Sequence, residues 1–252
     1  GLWLLADTLW PQPFHYFTFR SVAVQWTGVL AIGAMSVILV LAARPAWAER
    51  WLDGLDKSYR LHKWLGIAAL AASVAHWWLA LGTKWMVGWG WLVRPERGPR
   101  PKVTDPVQLW FNSQKGLADT LGEWAFYGGA ALIVLALIKR FPYRWFAKFH
   151  ILIVPVYLAL VWHTIVLANF AYWSQPLGWL LIAALLAGIA CSLIALFKRI
   201  GNPQNATVSS LNQNGKLLSL TLNAPKWQGH RAGQFLFLRA HGESHPFTIA
   251  SD

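Results

Sequence analysis

Residues 60–81 read RLHKWLGIAALAASVAHWWLAL, and the interpretation of the whole chain works outward from them. The stretch is apolar for long enough to cross a bilayer as one helix. His62 lies near one end and His76 near the other, fourteen residues apart. On a regular helix that is roughly 21 Å of rise and close to four full turns, so both rings leave on about the same face.

A second apolar stretch, residues 149–168, repeats the arrangement with His150 and His163 thirteen residues apart. Ionisable side chains inside a bilayer are costly and usually face the bundle interior with a partner. Four histidines at two matched depths on two helices therefore point to two stacked sites, each taking one ligand from each helix. Imidazole pairs of this kind hold haem iron. One spacing is discordant, because an ideal helix turns His163 roughly 140° away from His150. Pro155 lies between them. It removes a donor and clashes one turn back, so a kink is expected there.

Of 252 residues, 56% are hydrophobic, 18 are Trp and only 13% are charged. That balance excludes an ordinary soluble domain and predicts several membrane spans. A net charge of +12 would suggest nucleic acid as the partner of a soluble protein. Here the basic residues sit mostly at the ends of apolar runs, which is a topology signal. Membrane lipid is the expected environment, and no nucleic-acid partner is expected. The single cysteine, Cys191, lies in an apolar run and cannot form an internal disulfide. No CxxCH is present, so a haem would not be attached covalently in that way, and no Cys/His cluster has zinc spacing.

The spans are read as residues 21–43, 60–81, 121–138, 149–168 and 176–197, after a helix tail at residues 1–10 stopped by Trp10-Pro11-Gln12-Pro13. Residues 44–60 read as a charged loop, and Pro106 to Lys115 as a short surface helix. Five Lys/Arg fall in residues 44–63, four in 139–148 and two at Lys198-Arg199, all on one side of the membrane. The positive-inside rule makes that side cytoplasmic. His62 and His150 are then the inner pair, and His76 and His163 the outer pair. From Asn205 the composition turns to strands near residues 207–210, 217–222 and 234–239, with turns at Asn214-Gly215 and Gln228-Gly229. The expected fold is thus a membrane all-α helical bundle of about six transmembrane helices, the first truncated, followed by the start of a β-barrel domain. The chain opens without an initiator Met and stops just after a strand-like run, so it reads as part of a longer protein.

LDKSYRLHKW followed by His76, and FAKFH followed by His163, resemble the ferric reductase and NADPH oxidase superfamily. HPFTIAS, residues 245–251, looks like its flavin-binding signature, and AGQFLFL, residues 232–238, like the strand before it. The resemblance covers about residues 20–252 and implies a bacterial member. It implies a transmembrane haem domain over residues 1–200 and the first part of an FAD-binding barrel over residues 201–252. It implies two haem b groups, the inner held by His62 and His150 and the outer by His76 and His163. Arg20 stands where the family has an arginine near the outer haem and acceptor. His245, Pro246, Phe247, Thr248 and Ser251 stand where the family meets FAD. NAD(P)H would be the donor, bound by a domain absent from this chain. Only part of the flavin domain is present, and the long outer loop lacks the cysteines found in some relatives.

The implied activity is a transmembrane oxidoreductase of the bacterial inner membrane, with its flavin domain cytoplasmic. Flavin converts two-electron hydride chemistry into the one-electron steps of haem. A ferric chelate or dioxygen would be reduced on the other side. Lys84, Arg94, Arg97, Arg100 and Lys102 read either as a solvated loop or as an attractor for an anionic ferric chelate. Two rival readings remain. One is a haem-bearing subunit relaying electrons to a partner protein, and the other is a transporter whose histidines relay protons.

Overall fold

Five helices long and apolar enough to cross a membrane are present among the described residues, which makes the chain a multi-pass membrane protein. The computed structural model describes residues 3–8, 10–45, 51–52, 55–95, 103–138, 140–197, 205–215, 217–225, 227, 235–240 and 243–248. The helices are α1 (Trp3–Ala6), α2 (Tyr16–Ala42), α3 (Leu55–Trp77), α4 (Thr83–Gly88), α5 (Pro106–Leu137), α6 (Tyr143–His150), α7 (Ile153–Leu167) and α8 (Pro176–Phe197). A π turn, Trp78–Gly82, joins α3 to α4, so this span runs without a break over Lys57–Gly88. The segment expected as a loop up to residue 60 is already helical from Leu55.

The expected surface helix at Pro106 to Lys115 is instead the first third of α5, a single helix of 32 residues. Asp105 starts it by accepting from the Gln108 amide at 2.9 Å, with Pro106 in the first turn where its missing N–H costs nothing. Nothing between Lys115 and the apolar run stops a helix, since Gly116 alone is tolerated.

The break at Pro155 also falls elsewhere than on the proline. Helix α6 ends at His150, and α7 begins at Ile153. Pro155 cannot donate to the carbonyl one turn back, that of Ile151. That carbonyl accepts instead from Val154 at 3.0 Å in a tighter turn. The interruption sits directly after His150, where it can change the azimuth between the two histidines.

Helix α2 packs against α3 and α8, and α5 against α7. The core between them is apolar, with Ile32 and Met35 of α2, Ala69 of α3, Tyr157 of α7 and Leu181 of α8. Leu30, Val74, Val134 and Leu186 point outward, as they do on surfaces that meet lipid. The expected close approach at Gly128-Gly129 is present, for a Cβ on Gly129 would meet Val156 at 3.2 Å.

Tyr157 is fully buried at mid-depth of the bundle. Its hydroxyl shares a 2.8 Å hydrogen bond with Ser36, whose own hydroxyl also donates to the Ile32 carbonyl. The phenol end occupies the space that a Cβ on Gly188 would need. At one end of the bundle Tyr172 donates to the Asp7 carboxylate and meets Trp3 edge-on. Burial pushes the Tyr172 phenol up, and Asp7 adds to it by accepting its hydrogen. This ties the first residues to the segment before α8.

After the bundle, β1 (Thr207–Asn214) pairs antiparallel with β2 (Leu217–Asn223) across Asn214-Gly215, with Gly215 at φ 61°. A second hairpin pairs β3 (Phe235–Ala240) with β4 (Glu243–Thr248). The bundle followed by the start of a β domain matches the fold class read from the sequence. The expected turn at Gln228-Gly229 lies outside the described residues.

Replacing Gly188 with Ala should force the Tyr157 ring aside and destabilise the bundle by about 1–3 kcal/mol. Tyr157→Phe in the same chain should recover part of that loss, because it removes the atom in closest conflict. Thermal unfolding in detergent measures both, and equal melting of the single and double variants would contradict the packing.

Candidate functional site

Each histidine of α3 meets one of the α6–α7 segment. The His62 and His150 ring centres are 6.3 Å apart at an interplanar angle of 62°. Those of His76 and His163 are 6.0 Å apart at 80°. The discordant spacing is thus absorbed, and the rings are brought together in the pairs expected from depth.

Three of the four rings have one nitrogen fixed by backbone. His76 Nδ1 lies 2.9 Å from the Val24 carbonyl, His163 Nδ1 2.8 Å from the Ala118 carbonyl, and His62 Nδ1 3.3 Å from the Ile38 carbonyl. A carbonyl oxygen only accepts, so Nδ1 carries the hydrogen and Nε2 keeps its lone pair. Metal-bound histidines are oriented in the same way, by donating the other N–H to a carbonyl or carboxylate. His150 differs. Its Nδ1 is buried with no hydrogen-bond partner among the described residues, and its ring stacks on Phe146 at 4.9 Å.

Both outer histidines reach their carbonyls through notches left by glycine. Val24 is followed one turn later by Gly28, and Ala118 by Gly122. A Cβ on Gly28 would lie 3.2 Å from the His76 ring, and a Cβ on Gly122 would overlap the His163 ring outright. The sequence reading missed these two glycines. Their signal was a glycine inside an apolar span, but its meaning depends on which ring it faces.

Two imidazole rings set against each other suit one metal ion between them. Metal–imidazole nitrogen bonds of about 2 Å put ring centres on opposite sides of a metal roughly 6 Å apart. The observed 6.0 and 6.3 Å fit an iron that would be held between the two rings of each pair. A cavity of about 400 Å³ opens beside the outer pair, walled by α2, α3, α5 and α7. Arg20, Lys84, Asp119 and Glu123 line it together with His76 and His163. The donor set, the fixed tautomers and this cavity fit haem at the outer pair. At the inner pair, the spacing and the orphaned His150 nitrogen fit as well.

Arg20 sits one turn inside α2 and not at its end. Its Nε donates to the Leu79 carbonyl at 2.7 Å and to the Thr83 hydroxyl at 3.0 Å, and Nη2 donates to the Ala80 carbonyl at 2.9 Å. Leu79 and Ala80 belong to the π turn, where the regular helix ladder is interrupted and carbonyls become available. The lone Gly82 that closes WWLALG does not by itself announce that turn. The guanidinium is thus fixed at the cavity wall, in the same cavity as the outer rings.

The remaining sequence candidates are scattered. Lys84 reaches the cavity, whereas Arg97, Arg100 and Lys102 lie outside the described residues. In β4, His245 pairs with Leu238, Pro246 with Phe237, Phe247 with Leu236 and Thr248 with Phe235. Phe247 is exposed, and Ser251 lies outside the described residues.

A family model described as the ferric reductase like transmembrane component matches residues 27–161, just over half of the chain and including His62, His76 and His150. No curated protein matches the chain.

Arg20→Lys keeps the charge but replaces a planar fork by a single ammonium. It should lower stability by about 1–3 kcal/mol, the scale of charged hydrogen bonds, read as a lower melting temperature. Unchanged melting would mean that the carbonyls of the π turn are satisfied without the fork.

Proposed function

The chain belongs to the ferric reductase-like transmembrane family, and from that premise we propose that it carries electrons across the membrane through two haem b groups. His62 and His150 would hold the inner group, and His76 and His163 the outer one. When bound, each haem would supply one-electron redox chemistry at an iron held by one imidazole from each helix. The single observation that carries this reading is the pair of facing imidazoles at each depth, 6.3 and 6.0 Å apart.

The residues of this chain do the positioning. The Val24, Ala118 and Ile38 carbonyls set the tautomers and aim the rings. Gly28 and Gly122 keep space for the outer rings. Arg20, held by the π turn, presents a fixed positive charge in the outer cavity, where it can favour anionic haem substituents or an anionic acceptor. With both imidazoles of each pair committed to the haem, the acceptor would take its electron at the edge of the site.

We assign residues 1–200 to the transmembrane domain and residues 201–252 to the first part of an FAD-binding domain on the cytoplasmic side. The reading of HPFT as a flavin contact rests on the resemblance and on its place in a strand. FAD, reduced by NAD(P)H bound further along, would be the source of electrons. A ferric chelate or dioxygen would be the acceptor.

A reduced-minus-oxidised spectrum of the purified protein should show b-type haem. His76→Leu should remove one haem and leave the inner one. Gly122→Ala should also lower outer-haem content by displacing His163. Gly128→Ala on the same helix, where a Cβ has ordinary clearance of 3.6 Å, should not. Full haem content in both His76→Leu and Gly122→Ala would overturn the pairing.

A further inference from the structure

The span that carries His163 begins at Lys148, and the span before it ends at Leu137. Residues 138–148 are thus a turn at the membrane surface, with most of α6 as its second half. The last turn of α6 enters the membrane and ends on His150.

Helix α6 has two faces. Phe146 and His150, four residues apart, stack at 4.9 Å and 28°, and His150 meets His62. Trp145 and Phe149, also four apart, stack on each other at 5.9 Å and 19°, and both are exposed. Lys148 Nζ lies 5.3 Å from the centre of the Trp145 ring. An exposed aromatic pair with a cation beside it is the composition of a helix face at headgroup depth.

The charge around this face has one sign. Arg140 in the turn and Lys148 in α6 are exposed, and among the described residues neither forms an ion pair. Arg60 and Lys63, exposed on α3, flank His62. No Asp or Glu occurs from residue 124 to residue 242. The half of α5 that leads to the turn, and all of α6, α7 and α8, therefore offer these cations no carboxylate.

The same helix holds the one histidine without a hydrogen-bond anchor. His62, His76 and His163 each spend Nδ1 on a carbonyl of another helix, whereas His150 Nδ1 has no partner among the described residues. Its ring is oriented by Phe146, one turn back on α6. The placement of α6 therefore sets the placement of His150.

We propose that the exposed face of α6 docks anionic phospholipid, and that this contact keeps His150 turned toward His62. The lipid phosphate accepts from Lys148 and Arg140 and supplies the negative charge that the chain lacks here, while the acyl chains cover Trp145 and Phe149. A zwitterionic lipid covers the aromatic pair equally but brings no net charge. The docking surface stands without the haem reading given above, whereas its effect on the His62–His150 site rests on that reading.

The full chain in nanodiscs of phosphatidylcholine, alone or mixed with an equal part of phosphatidylglycerol, tests both. Trace spin-labelled lipids report which headgroup is held at the protein surface. Phosphatidylglycerol should be preferred, and Arg140→Gln combined with Lys148→Gln should reduce that preference about threefold or more. Lys115→Gln, which removes a cation from α5 before its apolar run, should keep it. In His76→Leu, whose remaining haem would sit at His62 and His150, haem retention in phosphatidylcholine alone should fall about twofold or more below that with phosphatidylglycerol. No preference in the unaltered chain, an undiminished preference in the double variant, or an equal loss in Lys115→Gln overturns the docking surface. Loss of the preference in inorganic phosphate, but not in chloride of equal ionic strength, overturns lipid as the ligand. A clear preference with equal haem retention overturns the link to His150 and leaves the surface. Protein without any haem band overturns the haem reading, and the spin labels still decide the surface.

Discussion

A half-buried imidazole in an apolar bundle has two nitrogens to satisfy, and at three of the four histidines here the backbone satisfies one. His76, His163 and His62 spend Nδ1 on carbonyls of neighbouring helices. Each is then left with a lone pair on Nε2 and a second ring about 6 Å away. Two facing acceptors cannot satisfy each other. On the proposed haem reading, one iron between each pair would satisfy both, and the bundle holds the rings in place for it.

Much of the irregular structure serves that end. The outer rings reach backbone carbonyls only because glycine stands one turn further on in α2 and α5. The interruption after His150 turns the chain where a regular helix would leave His163 facing away. The π turn after His76 offers carbonyls that fix Arg20 in the outer cavity. Away from the sites the bundle behaves as ordinary membrane packing, with the Tyr157–Ser36 hydrogen bond as its polar lock and small residues where helices approach closely.

The spans were legible from the length of their apolar runs, and the histidine pairing from matched depths on two spans, although the azimuth of His163 was not. The first hairpin was legible for a similar reason, since Asn214-Gly215 specifies its turn locally. What escaped the sequence depends on contacts between helices. Gly122 looks like any glycine in an apolar run until His163 is placed against it. The π turn carries only the lone Gly82 as a local signal, and its Leu79 and Ala80 carbonyls are taken by the Arg20 side chain of another helix. Pro155 correctly marked a disturbance, but the backbone expresses it one turn earlier, at the carbonyl the proline cannot serve. Reading Pro106 to Lys115 as a separate helix left out the next turn of α5, which carries Ala118 and Asp119 beside the outer site.

Electron paramagnetic resonance of the oxidised, purified protein tests the central claim most directly. Facing imidazoles on both sides of each iron predict low-spin ferric haem with nitrogen at both axial positions, from two distinct sites. High-spin ferric haem, or protein that carries no haem after purification from haem-replete cells, would contradict the account.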